Sequence, residues 1–308
     1  MSASSAWADR LFRHVTLFFA LSILVIAGGI AYQLFQTSAL ARHAFGFTFL
    51  GKRIWDPVAE NFGALPFIYG TLMSSFISLV MAVPVGIGVA IILSEMAATR
   101  VSNACAFMIE LLAAIPSVVY GLIGIFVLVP FMRDDLQPWL IKSLGVLPFF
   151  KGPAYGVGML TAGILLAIMI VPFITTISRE VLNSVPLSLK ESALALGATH
   201  WEVVRMAILP YARSGIIGSI FLALGRALGE TMAVTMVIGN RPEIAASILA
   251  PGYTMAAVLA NEFAEATSDI YLHALVEIGL VLFAITIIVN GLARWILMVA
   301  APRGGQRA

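Results

Sequence analysis

The chain has 308 residues, of which 60% are hydrophobic and 11% charged, and its formal net charge is +2. Soluble domains carry about 25% charged residues, so a water-soluble globule is excluded and a lipid bilayer is the solvent for most of the chain. The mean hydropathy of +0.99 agrees, and the small net charge without a basic patch excludes a nucleic-acid footprint.

A helix needs about 20 apolar residues to cross a bilayer, and such runs fall at roughly 15–35, 66–93, 104–132, 154–177, 214–239 and 272–300. The expected fold is an all-α membrane protein with six transmembrane helices. They form one domain over 15–300, flanked by a short N-terminal segment (1–14) and a basic tail (301–308). Arg10, Arg13 and His14 precede the first run. That run, Val15 to Ile30, is longer than the 7–15-residue core of a cleaved signal peptide, and it reads as a retained helix.

The connection at about 36–65 carries Trp55, Asp56, Pro57 and Glu60. Gly46 to Lys52 also matches seven positions of a phosphate-binding loop. Arg53 stands where that loop needs Ser or Thr, and no strand precedes it, so the match is coincidental. With no G-x-S-x-G elbow and no H-E-x-x-H, the chain is expected to hydrolyse nothing itself. Cys105 is the single cysteine, and His14, His43, His200 and His273 show no ligand spacing.

Prolines interrupt three runs, at Pro84, Pro116 and Pro172. A proline frees a helical carbonyl and bends the segment, which membranes tolerate where a neighbour or a wet cavity satisfies the freed group. Pro84 and Pro172 read as ordinary kinks. Pro116, beside Ser117 and Tyr120, reads as a cavity wall. Glu110 in the third run and Glu277 in the sixth are secondary candidates for functional charges within the membrane.

The polar loop before the fifth run, 186–210, reads as built to hold shape. Ser188-x-x-Glu191 and Thr199-x-x-Glu202 have capping-box spacing, Gly197 marks a turn between two short helices, and Pro210 is expected to stop the second. A shaped loop at the surface of a membrane protein fits a docking surface for a soluble partner.

The fifth run contains Gly225-Arg226-Ala227-Leu228-Gly229-Glu230-Thr231. Entry near Ser214 puts Arg226 about 18 Å into a core about 30 Å thick. On a continuous helix the i, i+4 spacing lets Arg226 and Glu230 pair, while Gly225 and Gly229 admit a neighbouring helix. The pair could be polar glue, but a buried pair is weak stabilisation. A guanidinium fork suits a tetrahedral oxyanion, and an intramembrane charge is a functional candidate by default. The stretch 256–263 in the following connection is amphipathic and fits either a surface-lying helix or a packed loop helix.

With the N-terminus inside, Arg10, Arg13, Arg100, Arg179, Lys190, Arg205, Arg213, Arg294, Arg303 and Arg307 are cytoplasmic. Arg42, Lys52, Arg53, Arg133, Lys142, Lys151 and Arg241 are outside. Ten against seven favours this orientation, which makes the 186–210 loop cytoplasmic.

Glu191-Ser192-Ala193, then Gly197, then Leu209-Pro210 resemble the "EAA" loop of permease subunits of bacterial ABC importers, with Ser192 in place of the usual second Ala and Ala207 where Ile is common. The wider set Trp55-Asp56-Pro57, Phe62 to Pro66, Ile115 to Leu122, Gly225 to Thr235 and Ala260 to Ala264 is similar to the PstC family of permeases of the phosphate importer. This resemblance implies a type I importer fold and a heterodimer with a PstA-like second permease. It also implies a PstB-like ATPase pair gripping Glu191, Ser192, Ala193, Gly197, Leu209 and Pro210, and a PstS-like phosphate-binding protein outside. A PhoU-like regulator is a further candidate partner. ATP and magnesium would belong to the ATPase, with no cofactor on this chain, and phosphate would pass Arg226, Glu230, Thr231, Ser117 and Glu110 across the inner membrane. A molybdate- or sulfate-type permease and an ion-driven secondary transporter are the alternatives.

Overall fold

In the computed structural model, which describes residues 3–300, the apolar runs all become helices. Apolar surroundings leave the backbone no partner but itself, which selects helices here. Among the described residues there is no strand, only an isolated bridge between Asp56 and Asn61. The helices are α1 (Ala3–Thr37), α2 (Ala39–Phe45), α3 (Thr48–Gly51), α4 (Leu65–Met96), α5 (Thr99–Ala113) and α6 (Ser117–Leu144). They continue with α7 (Met159–Asn183), α8 (Leu187–Ala195), α9 (His200–Leu228), α10 (Met232–Ile238), α11 (Met255–Glu262) and α12 (Asp269–Ala300). Six of these, α1, α4, α6, α7, α9 and α12, are long and apolar enough to cross a bilayer. The tail 301–308 expected from the sequence lies outside the described residues.

Two expected spans are not continuous. The run 104–132 divides at Ile115–Pro116 into α5 and α6, and the length that can span belongs to 117–144. The run 214–239 starts earlier, at His200, ends at Leu228, and resumes as the short α10. Apolar content alone does not separate one helix from two in register, so neither break is visible in hydropathy.

α7 is the centre of the bundle: 67% of its apolar window is buried, against 28% or less in the other five spans. Small residues let α4 approach it closely. A Cβ on Gly86 would sit 2.8 Å from Ile174, and one on Gly163 would sit 2.5 Å from Ile77. The Thr175 hydroxyl donates to the Gly86 carbonyl at 3.2 Å, and Ser178 and Ser219 share a hydrogen bond of 2.9 Å that ties α7 to α9. Pro84 and Pro172 sit inside continuous helices, as expected of ordinary kinks.

The first amides of α7 would be orphans at a helix start. Gly158, Met159 and Leu160 instead donate to the carbonyls of Val237, Ala250 and Ile248, so the chain after α10 folds back as a lid on α7.

At the same end an aromatic cluster orders the long 36–65 connection. Trp55 meets Phe62 and Phe67 edge-on with centroids 4.8 Å away, and Phe62 stacks on Tyr271 at 5.3 Å. Glu262 accepts from Trp55 Nε1 at 2.8 Å and from the Tyr271 hydroxyl at 2.7 Å. α11 is a packed loop helix: Met255, Ala256, Ala257 and Val258 are buried, and Thr254 caps it by accepting from the Ala257 amide.

Candidate functional site

Two constellations sit at different depths of the bundle. The first is the elbow formed by α8 and the start of α9. Of its two expected capping boxes only one forms. Thr199 Oγ1 accepts from the Glu202 amide, and the Glu202 carboxylate accepts from the Thr199 amide at 2.7 Å. The Thr199 amide, and after it the Thr199 hydroxyl, which also donates to the Glu202 carboxylate at 2.8 Å, hold that carboxyl below the usual glutamate range. The Ser188 box is absent. Pro186, pre-set at a φ of −55°, begins α8, so Ser188 lies inside the helix and its carbonyl accepts from the Ser192 hydroxyl. Gly197 makes the turn at a φ of +86°, where a side chain would be strained.

Pro210 does not stop a helix. A π turn over Val204–Ile208 precedes it, in which the Leu209 amide reaches back to Val204. That wider turn carries the missing donor of Pro210 into α9 without a break. The elbow is therefore one short helix plus the first turns of a spanning helix, so a push on the elbow acts directly on α9. Glu191, Ser192, Gly197 and Pro210 are exposed, while Ala193 and Leu209 are half-buried.

Sequence reasoning missed the strut beneath the elbow. Lys190 Nζ donates to Glu95 Oε1 at 2.7 Å, with only 20% and 13% of the two side chains exposed. Ser94 Oγ lies 2.8 Å from the same carboxylate oxygen and 2.9 Å from Asn183 Oδ1. These contacts join α8 to the end of α4 and to the end of α7. The partners are 95 residues apart in the chain, and no local pattern links them.

The second constellation surrounds the two breaks. Pro116 lacks the amide that would bond the Leu112 carbonyl in a continuous helix. The Tyr120 hydroxyl takes that place at 2.8 Å, with a long bond of 3.3 Å from the Ile115 amide alongside. α6 then packs tightly on α10: a Cβ on Gly121 would meet Met236 and Ala233, and one on Gly124 would meet Val237. The two helices that follow the two breaks thus form one unit.

Arg226 lies in the last turn of α9 and is exposed on the isolated chain. The expected Arg226–Glu230 ion pair does not form, because the helix ends at Leu228 and the i, i+4 relation is lost. Glu230 instead accepts from the Ala233 amide at 3.3 Å, at the start of α10, where a carboxylate meets the positive end of the helix. Gly229 is the end of α9 and no packing face, and a Cβ on Gly225 would lie 3.9 Å from Asn290 of α12, an ordinary contact that does not require glycine.

Thr231 accepts through its carbonyl from the Thr235 hydroxyl at 2.8 Å and belongs to the same break. Ser117, half-buried, starts α6 one turn before Tyr120. Glu110 stands apart from these, in a small cleft with Arg179, Thr175 and Ala106. Arg226, Glu230 and Thr231 thus belong to the break after α9 and Ser117 to the break before α6, while Glu110 is separate.

An exposed arginine on a spanning helix is costly against lipid. Cover by another subunit or a watery path along that face would remove the cost.

Known proteins agree with this arrangement. The family described as "Binding-protein-dependent transport system inner membrane component" matches residues 82–298. Among solved structures, the inward-facing MetNI methionine ABC transporter superposes with a TM-score of 0.52 at 18% identity, covering 78% of this chain and 95% of that one. A bacterial ABC transporter involved in import of the acidic polysaccharide alginate gives 0.52 at 19% identity, covering 93% and 99%. Elbow, broken spans and bundle define a type I ABC importer permease subunit, a multi-pass membrane protein.

Among curated proteins, the phosphate transport system permease protein PstC of Mesorhizobium japonicum is 48% identical over 97% of this chain and 93% of its own length. Those of Pasteurella multocida and Haemophilus influenzae are 44% and 46% identical, over 97% and 94% of this chain and 94% and 93% of their own lengths. The chain belongs to the PstC family of permeases.

Proposed function

We propose that this chain is one of two permease subunits of an ATP-driven phosphate importer in the bacterial inner membrane, with both termini cytoplasmic. The observation that carries this reading is Arg226. It is a cation at the end of a broken spanning helix, exposed on the isolated chain and free of any carboxylate partner among the described residues. A tetrahedral oxyanion is the ligand a guanidinium fork accommodates best. The names of the curated relatives give the same anion.

The exposed Arg226 face would meet a PstA-like second permease, with the pathway between them. The elbow would sit in a groove of a PstB-like ATPase, which hydrolyses the nucleotide that this chain does not. A PstS-like protein would release phosphate at the aromatic end. ATP binding would close the ATPase pair and move the elbow. Because α9 runs without interruption from the elbow to Arg226, the displacement would reach the break and switch the side from which Arg226 is accessible. A single unpaired cation attracts phosphate without caging it, and conduction needs exit as well as entry.

The test is radiolabelled phosphate uptake in a strain lacking this chain. Uptake restored by the wild type and lost with Arg226→Gln, with the complex still assembled, is the expected result. Full uptake by Arg226→Gln would remove the proposed role.

A further inference from the structure

Glu277 takes no part in the pathway proposed above, yet it is a buried carboxylate within a spanning helix. Its side chain belongs to a residue only 6% exposed, and its Oε2 has no hydrogen-bond partner. The depth of the group follows from a neighbouring contact. His273 meets the carbonyl of Thr37, the last residue of α1, so α1 and α12 reach the aromatic end at one level. Glu277 lies four residues further along α12, about 6 Å deeper. One turn inside the shared end of two spanning helices, a lipid headgroup rather than the middle of its acyl chains is the expected neighbour.

Arg42 of α2 lines the same cavity as Glu277. The two form no ion pair. Arg42 Nε donates to Ser38 Oγ at 3.1 Å, another guanidinium nitrogen donates to the Phe35 carbonyl, and the group lies 3.5 Å over the Phe35 ring. These contacts fix the fork in place. Beside both residues is a cavity of about 370 Å³, whose remaining wall is apolar and includes Leu50, Leu280, Val281 and Ala284. One carboxyl and one fixed guanidinium at the head of an apolar slot are complementary to a zwitterion with a hydrocarbon tail.

We propose that this cavity binds a phospholipid with a primary-amine headgroup, taken from the leaflet at the aromatic end. The ammonium meets the Glu277 carboxyl, the phosphate meets Arg42, and an acyl chain follows Leu280, Val281 and Ala284. An ammonium carries three donors and gives the otherwise unpartnered carboxyl a partner. A quaternary choline has none to give, and an anionic glycerol headgroup brings no positive charge to the carboxylate. The apolar wall selects the lipid over the free headgroup.

The experiment uses the assembled permease complex, purified in detergent with equimolar phosphatidylethanolamine, phosphatidylcholine and phosphatidylglycerol, with retained lipid read by native mass spectrometry. The wild type should prefer phosphatidylethanolamine roughly tenfold over the other two, as one charge-assisted bond allows. Glu277→Gln should bring that preference close to unity with the complex intact. Ala284→Phe, which narrows the acyl slot, should lower retention of all three and keeps the test open if Glu277→Gln fails to assemble. The proposal is overturned by a wild type without preference, by unchanged preference in Glu277→Gln, or by displacement of the lipid by soluble phosphoethanolamine. It is likewise overturned if the intact complex retains no phospholipid, as when the second permease covers the cavity.

Discussion

The Tyr120 hydroxyl and the Leu112 carbonyl, 2.8 Å apart, close the gap that Pro116 opens between α5 and α6. One residue breaks the helix and another, four positions on, supplies the donor that the break removed. Tyr120→Phe leaves that acceptor with only the long bond from Ile115. The expected loss is about 1–2 kcal/mol, read as a lower unfolding midpoint of the purified complex. Pro116→Ala restores an amide donor, so Tyr120→Phe should cost much less in that background. Additive losses in the double mutant would show that the two residues act independently.

Arg226 stands at the end of α9, exposed on the isolated chain. Because the group acts as a planar fork, Arg226→Lys should keep the charge yet lose most of the function. Phosphate uptake reduced at least roughly tenfold in Arg226→Lys, with normal assembly, is the expected outcome. Near-normal uptake would mean that point charge suffices.

Glu230 separates two roles by geometry. As acceptor for the Ala233 amide it needs oxygen and no charge. Glu230→Gln should therefore assemble normally and transport close to wild type, whereas Glu230→Ala should lose about 1 kcal/mol of stability, as a missing cap does. Abolished uptake in a fully assembled Glu230→Gln would return the carboxylate to the phosphate path.

These two residues mark where the sequence was legible and where it was not. Six spans, the Gly197 turn and the Thr199–Glu202 box were readable because each rests on hydropathy or on residues within one turn of each other. The ion pair was misplaced because i, i+4 spacing has meaning only on an unbroken helix, and nothing apolar marks the end at Leu228. Ser188 failed for a similar reason, since Pro186 starts α8 early and draws the hydroxyl inside. Pro210 was read as a stop because a π turn cannot be foreseen from composition. The Lys190–Glu95 strut and the Glu277 cavity join elements far apart in the chain, and only the folded bundle brings them together.

The Lys190–Glu95 contact is the one ion pair among the described residues that links the elbow to another spanning helix. Glu95→Gln strands the ammonium in a mostly buried site, at a cost of roughly 1–3 kcal/mol, less than for a fully buried pair. The functional consequence should exceed the structural one: ATP hydrolysis by the assembled complex persists while phosphate moved per nucleotide falls. Exchanging the charges, Glu95→Lys with Lys190→Glu, should recover coupling. Failure of the exchange alongside an intact Glu95→Gln ratio would confine the pair to packing.

The Thr199–Glu202 box makes a pH-dependent prediction of its own. Its carboxyl is held below the ordinary range chiefly by the Thr199 amide and secondarily by the Thr199 hydroxyl, 2.8 Å from Glu202 Oε2. A group with a depressed folded-state pKa stabilises above its unfolded value, and that contribution is lost as pH falls through the folded value. The elbow should therefore keep its cap throughout the neutral range and lose it only in acid below the ordinary glutamate titration. Carbon-13 shifts of the Glu202 side chain, followed during acid titration of the complex, measure this directly. Thr199→Val removes the hydroxyl and keeps the amide, so the midpoint should move up only part of the way. A full return to the ordinary value in that variant would assign the depression to the hydroxyl and make the amide bond incidental to the shape of the elbow.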